Sequence, residues 1–242
     1  MLASGANEEA RTMHMRATFR FLLALGSIAS SSVLMAQEHD PRKDRVRIAC
    51  PGVAAWESTR AHAAPRDQRV ATPSDPTLRD ELNRMADKDQ AARDLSATKV
   101  ATEDAAALGE VNKVDAENLH RLQQIVKTHG IPTPSLVGDK GMRSFWILVQ
   151  HASPDPLLQQ RVLQALTTDR RGLPLSEIAL LTDRVQVNRG EPQTYGTQFH
   201  REGGKFVPDT NREPESLAER RNEMDLMPMS DYECLLQATY AE

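Results

Sequence analysis

The apolar run Phe145–Val149 (FWILV) is the feature that most constrains the fold of this chain. A helix from about Lys140 to Ala152 would be apolar on every face through this run, so other elements must surround it. Gln150 and His151 follow the run directly. The sequence therefore predicts a central buried helix whose last turn carries polar side chains into the interior.

A tight corner is predicted after the central helix. Ser153-Pro154 breaks the helix, and Asp155-Pro156 has the residue types of an N-cap and a first helical position. His151 and Asp155 are therefore expected to face each other across a turn between two helices.

The rest of the pattern predicts a mainly α fold. Apolar residues recur at helical spacing over residues 78–95 and 115–129, in two helices after residues 156 and 175, and in short helices at 215–226 and 230–240. The segments 193–199 and 205–207 flank Glu202-Gly203-Gly204, as in a small β-hairpin. We expect an irregular antiparallel array of about six or seven helices with one small β-hairpin near residues 193–207.

The first 36 residues have the pattern of a signal peptide, with translation expected to start at Met13 or Met15. Residues 15–20 are cationic, residues 21–35 are rich in apolar and small side chains, and polarity rises after Ala36. The apolar part is too short and too rich in Ser and Gly for a membrane span. We expect export to the periplasm or the medium, without a membrane span after cleavage. An uncleaved interfacial anchor is the alternative.

Residues 37–75 are expected to form a flexible N-terminal arm or linker before a single helical domain at residues 76–240. This segment carries scattered charges and prolines and shows no sustained apolar period. Cys50 and Cys234 are the only cysteines, and export permits a disulfide that joins the arm to the last helix. The sequence does not decide between this disulfide and two separate thiols.

Charge and motifs argue against several classes of function. The chain has 34 acidic and 30 basic residues and a net charge of −4, so it lacks the basic field that nucleic acids require. Phosphate-binding loops and the motifs H-E-x-x-H, G-x-S-x-G and C-x-x-C are absent from the sequence. No histidines have metal-ligand spacing. We expect no cofactor and no metal, and an unknown small polar ligand or envelope component as the partner.

Several polar residues need an explanation. Asp89 lies on the apolar stripe of its helix, where a carboxylate needs a partner. Arg93, one turn later, can supply it, and a partner from elsewhere in the fold is the alternative. Asp115 is expected to cap a helix that ends at Gly130. The candidate set is Asp89, Gln150, His151, Asp155, Asp183, Arg184, Gln193, Tyr195 and Gln198.

Three stretches resemble the signatures of an uncharacterised bacterial domain family. They are M-A-x-x-D-Q from residue 85, V-Q-H-A with D-P from residue 149, and L-T-D-R-V with P-Q-x-Y-G-T-Q-F between residues 181 and 199. The resemblance extends over residues 76–236. Ser153-Pro154 departs from it, because a more polar or acidic residue is usual there. The resemblance implies a shared site and no established activity.

Two functions remain open for the candidate set. In the first, the protein is a cofactor-free hydrolase of a polar envelope or extracellular substrate. His151 is then the general acid/base, and Asp183 or Asp155 orients it. Arg184 binds an anionic group, and the other substrate contacts come from Asp89, Gln150, Gln193, Tyr195 and Gln198. In the second, the protein is a non-catalytic periplasmic binding or interaction module, and the same residues form a buried structural network.

Overall fold

The structure, a computed structural model, describes residues 40–61, 72–99, 105–203 and 205–240. The predicted signal peptide at residues 1–36 and the arm residues 62–71 lie outside these ranges. Over the described ranges the chain is mainly α-helical with one small antiparallel hairpin, which confirms the predicted fold class. None of the helices in these ranges combines the length and the apolar character that crossing a membrane requires.

Nine α-helices lie within the described ranges, and seven of them, α3 to α9, correspond to predicted helices. The first two, α1 and α2, lie where the sequence analysis expected a flexible arm. The elements are α1 Pro41–Ala49, α2 Pro51–Ala61, α3 Pro76–Lys99, α4 Ala105–His129, α5 Pro134–Gln150, α6 Pro156–Thr168, α7 Leu175–Asn188, β1 Phe199–Glu202, β2 Lys205–Pro208, α8 Leu217–Glu223 and α9 Met229–Thr239.

Helix α5 passes through the main core, as its apolar run predicts. Every residue of Phe145–Val149 is at most 9% exposed. These side chains pack among apolar residues of α3, α4, α6 and α7. Full burial of one such side chain stabilises the fold by roughly 1.5–3 kcal/mol. Helix α5 therefore fixes the position of the residues that end it.

The cap and the first residue predicted for the helix after the corner are both present. The side chain of Asp155 accepts a hydrogen bond from a backbone N–H in the first turn of α6 at 2.9 Å, and Pro156 is the first residue of that helix. Gln159, fully buried, donates to the carbonyl oxygen of Val149 at 2.9 Å. Because α6 holds the last turn of α5 in this way, His151 at the end of α5 has a fixed position.

Helix α4 begins earlier than the sequence analysis predicted. Asp115 was expected to be its N-cap, but the helix starts at Ala105 and Asp115 lies in its third turn. The capping prediction is therefore wrong, because the backbone N–H groups near Asp115 are already inside the helix. The predicted stop is confirmed, since α4 ends at His129 and Gly130 takes a left-handed conformation with φ 71°. Asp115 thus lies on the face of a helix rather than at its end.

A second, smaller core joins α1 and α2 to α9 and the hairpin. A disulfide links Cys50 and Cys234, with 5.8 Å between their Cα atoms, which confirms the pairing over two separate thiols. Val53 is also buried here, and Arg42 of α1 forms an ion pair with Asp94 of α3 at 3.6 Å. Between residues 41 and 61 the arm therefore forms two attached helices, where flexibility was expected, because partners distant in sequence hold it.

Candidate functional site

His151 contacts a carboxylate and a guanidinium at the end of α5. Its Nδ1 lies 2.9 Å from Oδ1 of Asp89, and the Nε–H of Arg93 points at the same Nδ1 at 3.0 Å, a hydrogen bond that only an unprotonated Nδ1 could accept. An unprotonated Nδ1 would place its lone pair against that of the carboxylate, whereas Arg93 Nε also reaches Oδ2 of Asp89 at 3.3 Å. We therefore assign the proton to Nδ1, which donates to Asp89. In the neutral ring Nε2 is then the basic nitrogen.

Arg93 joins carboxylates from two helices. On α3 it pairs with Asp89, one turn earlier, and on α4 its Nη2 donates to Oδ1 of Asp115 at 2.5 Å. The side chain of Asp89 is fully buried, whereas those of Arg93 and Asp115 are 20% and 23% exposed. Asp89 thus finds partners both on its own helix and elsewhere in the fold, and Arg93 fixes α3 against α4 beside His151.

Burial and charge set the protonation states of this cluster. Burial lowers the pKa of His151, and the positive charge of Arg93 lowers it further, against the opposing effect of Asp89. Burial alone would raise the pKa of Asp89, but its hydrogen bond to His151 and the charge of Arg93 hold it below the ordinary value. Burial raises the pKa of Asp115 despite the neighbouring Arg93. At neutral pH a neutral imidazole therefore lies against an ionised carboxylate.

A cavity of about 780 Å³ opens beside His151. A face of α4 forms one side, and the other side comes from the end of α5, the following corner and α7. His151, Arg93 and Asp115 line the cavity, whereas Asp89 lies fully buried behind them. Nε2 of His151 makes no hydrogen bond within the described part of the chain, so a molecule in the cavity can use it.

Asp183 lies outside the residues that line this cavity and organises the segment after α7. Its fully buried carboxylate accepts hydrogen bonds from the backbone N–H groups of Thr194 at 2.8 Å and of Tyr195 and Thr197 at 2.9 Å. The Thr197 hydroxyl donates to the same carboxylate at 2.9 Å. Asp183 therefore holds a loop, and Asp89 occupies the place beside His151 where we expected Asp183 or Asp155.

The segment Gln193–Gln198 is a loop rather than the first strand of the hairpin, which begins only at Phe199. The side chain of Gln193 donates to the carbonyl of Gln198 at 3.0 Å and accepts from its N–H at 2.8 Å. The buried Arg221 donates to the carbonyl of Tyr195 at 2.7 Å. Side chains therefore bind the backbone groups that a longer strand would use. Gln193, Tyr195 and Gln198 do not line the cavity.

Two further candidates, Arg184 and Gln150, do line the cavity. Arg184 lies on α7 and is only 3% exposed, and Gln150 is fully buried in the last turn of α5. Asp155 instead accepts a hydrogen bond from Gln123 of α4 at 2.9 Å. The structure thus brings His151, Asp89, Gln150 and Arg184 together and places the other candidates elsewhere.

Arg93 and Asp115 are site residues that the sequence analysis assigned to other roles. The sequence pattern predicted Arg93 as an ion-pair partner of Asp89, and it favoured a capping role for Asp115 over a place in a site. Val111 and Val114, which are 4% and 1% exposed, continue the buried stripe of α4 before Asp115. Recognition of this stripe in the sequence would have placed Asp115 inside a helix, as a carboxylate on its face.

Asp89, Asp115 and His151 also have residue types that bind metal ions. One ligand atom from each lies within 4.8 Å of the others. However, the Arg93 guanidinium donates to both carboxylates and lies 3.0 Å from His151 Nδ1. A metal ion would have to displace this cation and remove the proton from Nδ1. The geometry therefore fits a hydrogen-bonded acid/base site better than a metal centre.

Comparison with known proteins identifies one related family. The profile of a family described as "Family of unknown function (DUF6624)" matches residues 76–242, which is more than half of the chain. The matched region contains every residue of the His151 cluster and leaves out α1 and α2. No curated protein matches the sequence, and no solved structure matches it.

Proposed function

Because the chain belongs to this family of unknown function, we propose its activity from the site itself: a cofactor-free hydrolase in which His151 is the general acid/base. The observation that carries this proposal is the contact of 2.9 Å between His151 Nδ1 and Asp89 Oδ1, beside a cavity. A carboxylate in this position selects the tautomer and orientation of an imidazole base. Nε2 then faces the substrate.

The proposed reaction uses a water molecule in the cavity. His151 Nε2 takes one proton from this water while the water oxygen adds to the carbonyl carbon of an ester or amide. The bond to the leaving group then breaks, and the leaving oxygen or nitrogen receives that proton from the imidazolium. Asp89 stabilises the imidazolium between the two steps. The lowered pKa of His151 keeps Nε2 unprotonated at neutral pH, as a base requires.

Arg184 and Gln150 complete the proposed substrate site. Arg184 lies in the cavity wall, and a guanidinium in a largely buried position suits an anionic group or the oxyanion that forms during hydrolysis. Gln150, in the last turn of α5, also lines the cavity, and its side-chain oxygen is placed to accept hydrogen bonds from Trp146 Nε1 at 3.3 Å and from the backbone N–H of Leu181 at 2.9 Å, so only its amide nitrogen is left for a substrate. The roles of both residues are part of the proposal.

We also propose that the protein is exported and acts on a periplasmic or extracellular substrate. The signal-peptide pattern of residues 1–36 supports this location. The Cys50–Cys234 disulfide is compatible with an oxidising compartment. Cleavage after Ala36 would leave Gln37 as the first residue, which N-terminal sequencing of the protein from cells detects. An N-terminus upstream of Ala36 would contradict cleavage at this position.

The second candidate function is a non-catalytic binding module. The loop network favours it, because Asp183, Gln193 and Gln198 are occupied with backbone groups of their own loop. In that case the cavity holds a ligand that leaves unchanged, and the contact of His151 with Asp89 serves binding or stability alone.

The decisive experiment compares two histidines of the same cavity. His120 also lines it, but its Nε2 is bonded to Gln124 at 2.8 Å and not to a carboxylate. We expect the parent protein to hydrolyse members of a panel of chromogenic esters and anilides. His151→Gln should reduce this rate about 10²–10⁴-fold, and His120→Gln, which changes only the cavity wall, should reduce it much less. A parent without activity on the whole panel, or an equally active His151→Gln variant, favours the binding module.

A further inference from the structure

The cavity beside His151 is elongated along α4. On this helix the lining runs from Val111 to Gln123. At 1.5 Å per residue, the helix rises about 18 Å between them. An extended polypeptide advances about 3.3 Å per residue, so a stretch of about five residues matches this length.

The walls carry both amide and apolar groups. Asn112 and Gln123 present side-chain amides towards the two ends, Leu119 presents apolar surface between them, and Val111 adds apolar surface next to Asn112. Val187 adds apolar surface from α7 on the other side. A side-chain amide can both donate to a peptide carbonyl and accept from a peptide N–H. Apolar wall positions suit the side chains of such a segment.

Charge and ring chemistry favour a peptide over the other polar polymers. Arg93 and Asp115 in the wall pair with each other through their contact at 2.5 Å, and Arg184 adds one further positive charge from α7, which suits a single anionic group rather than a polyanion. None of the lining residues is Phe, Tyr or Trp, so a sugar ring finds no flat aromatic face to stack on.

We propose that this cavity, called the groove below, binds an extended peptide segment of about five residues. The peptide bond to be cleaved lies close to one end of the groove. His151 lies beside Asp115, which is about 4.5 Å along the helix from Asn112 and about 12 Å from Gln123. The longer arm of the groove ends where Gln123 donates to Asp155 at 2.9 Å. This inference rests on the proposed function, because it names the substrate class of the same site.

The test measures binding separately from hydrolysis. The His151→Gln variant prevents turnover, and the probe is a pool of N-acetylated, C-amidated pentapeptides at millimolar concentration. We expect the pool to shift the side-chain amide NMR signals of Asn112 and Gln123, and a chitin-derived or cellulose-derived pentasaccharide to leave them unchanged. Adding Ala116→Trp, in the exposed wall between these amides, should abolish the shifts.

A matched control places the same tryptophan outside the groove. Lys113 lies on α4 and is exposed, but it does not line the cavity, so Lys113→Trp should leave the peptide-induced shifts intact. Absence of shifts with the peptide pool would overturn the inference, as would shifts with the pentasaccharide alone or shifts that persist in Ala116→Trp. If the peptides bind as described but the parent protein cleaves none of them, the groove is supported and the proposed hydrolase function is contradicted.

Discussion

Replacement of Asp183 by alanine should destabilise the protein strongly. Its buried carboxylate accepts three backbone N–H groups and one hydroxyl at 2.8–2.9 Å. A hydrogen bond to a charged group contributes about 1.5–3 kcal/mol, and a buried donor left without a partner costs about 1–3 kcal/mol. The four bonds are not independent, because the loop can move and admit water. We therefore expect a loss of about 3–5 kcal/mol, as for breaking a buried ionic group.

Thermal unfolding followed by circular dichroism measures this loss. Each kcal/mol moves the midpoint of a domain of this size by about 2–4 °C. Asp183→Ala should therefore lower the midpoint by about 6–20 °C. Asp183→Asn keeps the shape of the side chain and one acceptor oxygen, so its midpoint should fall between those of Asp183→Ala and the parent.

A midpoint for Asp183→Ala within about 2 °C of the parent would refute this reasoning, because it corresponds to less than one kcal/mol. The loop would then hold its shape without the carboxylate. Asp183 would again be a candidate for the functional site, and its assignment to a purely structural loop would be wrong.

Charge, pH and the disulfide give three further predictions. Arg93→Met removes a positive charge that lowers the pKa of His151, so NMR titration should show a higher pKa, and an unchanged value would argue against the cluster. The folded pKa of His151 lies below its unfolded value of about 6.5, so this group's stabilisation is present above pH 6.5 and is lost as pH falls towards the folded pKa. When the free energy of unfolding is measured between about pH 8 and pH 5, His151→Gln should therefore lose less of it than the parent. Equal losses would contradict a lowered pKa for His151. The double variant Cys50→Ser with Cys234→Ser removes a covalent link between residues that are 184 positions apart. In the chain-entropy model such a disulfide stabilises the fold by up to about 5 kcal/mol. Proteases should then cleave the α1–α2 segment, and continued resistance would show that the second core holds it without the bond.

The sequence predicted those parts of the fold that local chemistry determines. The run Phe145–Val149 indicated a buried helix, and Asp155-Pro156 indicated the start of the next, because burial on every face and helix capping are local properties. Both are present. The same reasoning predicted His151 at the end of the buried helix, and it is the residue directly after α5.

The partners of His151 could not be read from the sequence. Asp89 precedes it by 62 residues, and only the packing of α3 against α5 brings the two together. Asp115 was misassigned for a similar reason, because a carboxylate near a helix start and one on a helix face look alike until the start is known. Pairing across helices depends on crossing angles and register, which the pattern of apolar residues does not specify.

Two other errors have different physical causes. Helices α1 and α2 were not expected, because their composition is typical of a linker and a disulfide to α9 stabilises them. The stretch Gln193–Gln198 suggested a strand, because its Thr and Tyr residues favour extended structure. In the protein, Asp183 binds the backbone N–H groups of this stretch, so a loop forms instead.

The protonation state of His151 tests the central claim, an imidazole base held by Asp89, most directly. Long-range ¹H–¹⁵N NMR shows which ring nitrogen carries the proton, with the signals assigned by their loss in His151→Gln. We predict a proton on Nδ1 and a titration midpoint below about 6.5, which falls further in Asp89→Asn because that variant loses the charge that raises it. A proton on Nε2, or a midpoint above that of a free histidine, would contradict the assignment of His151 as the base.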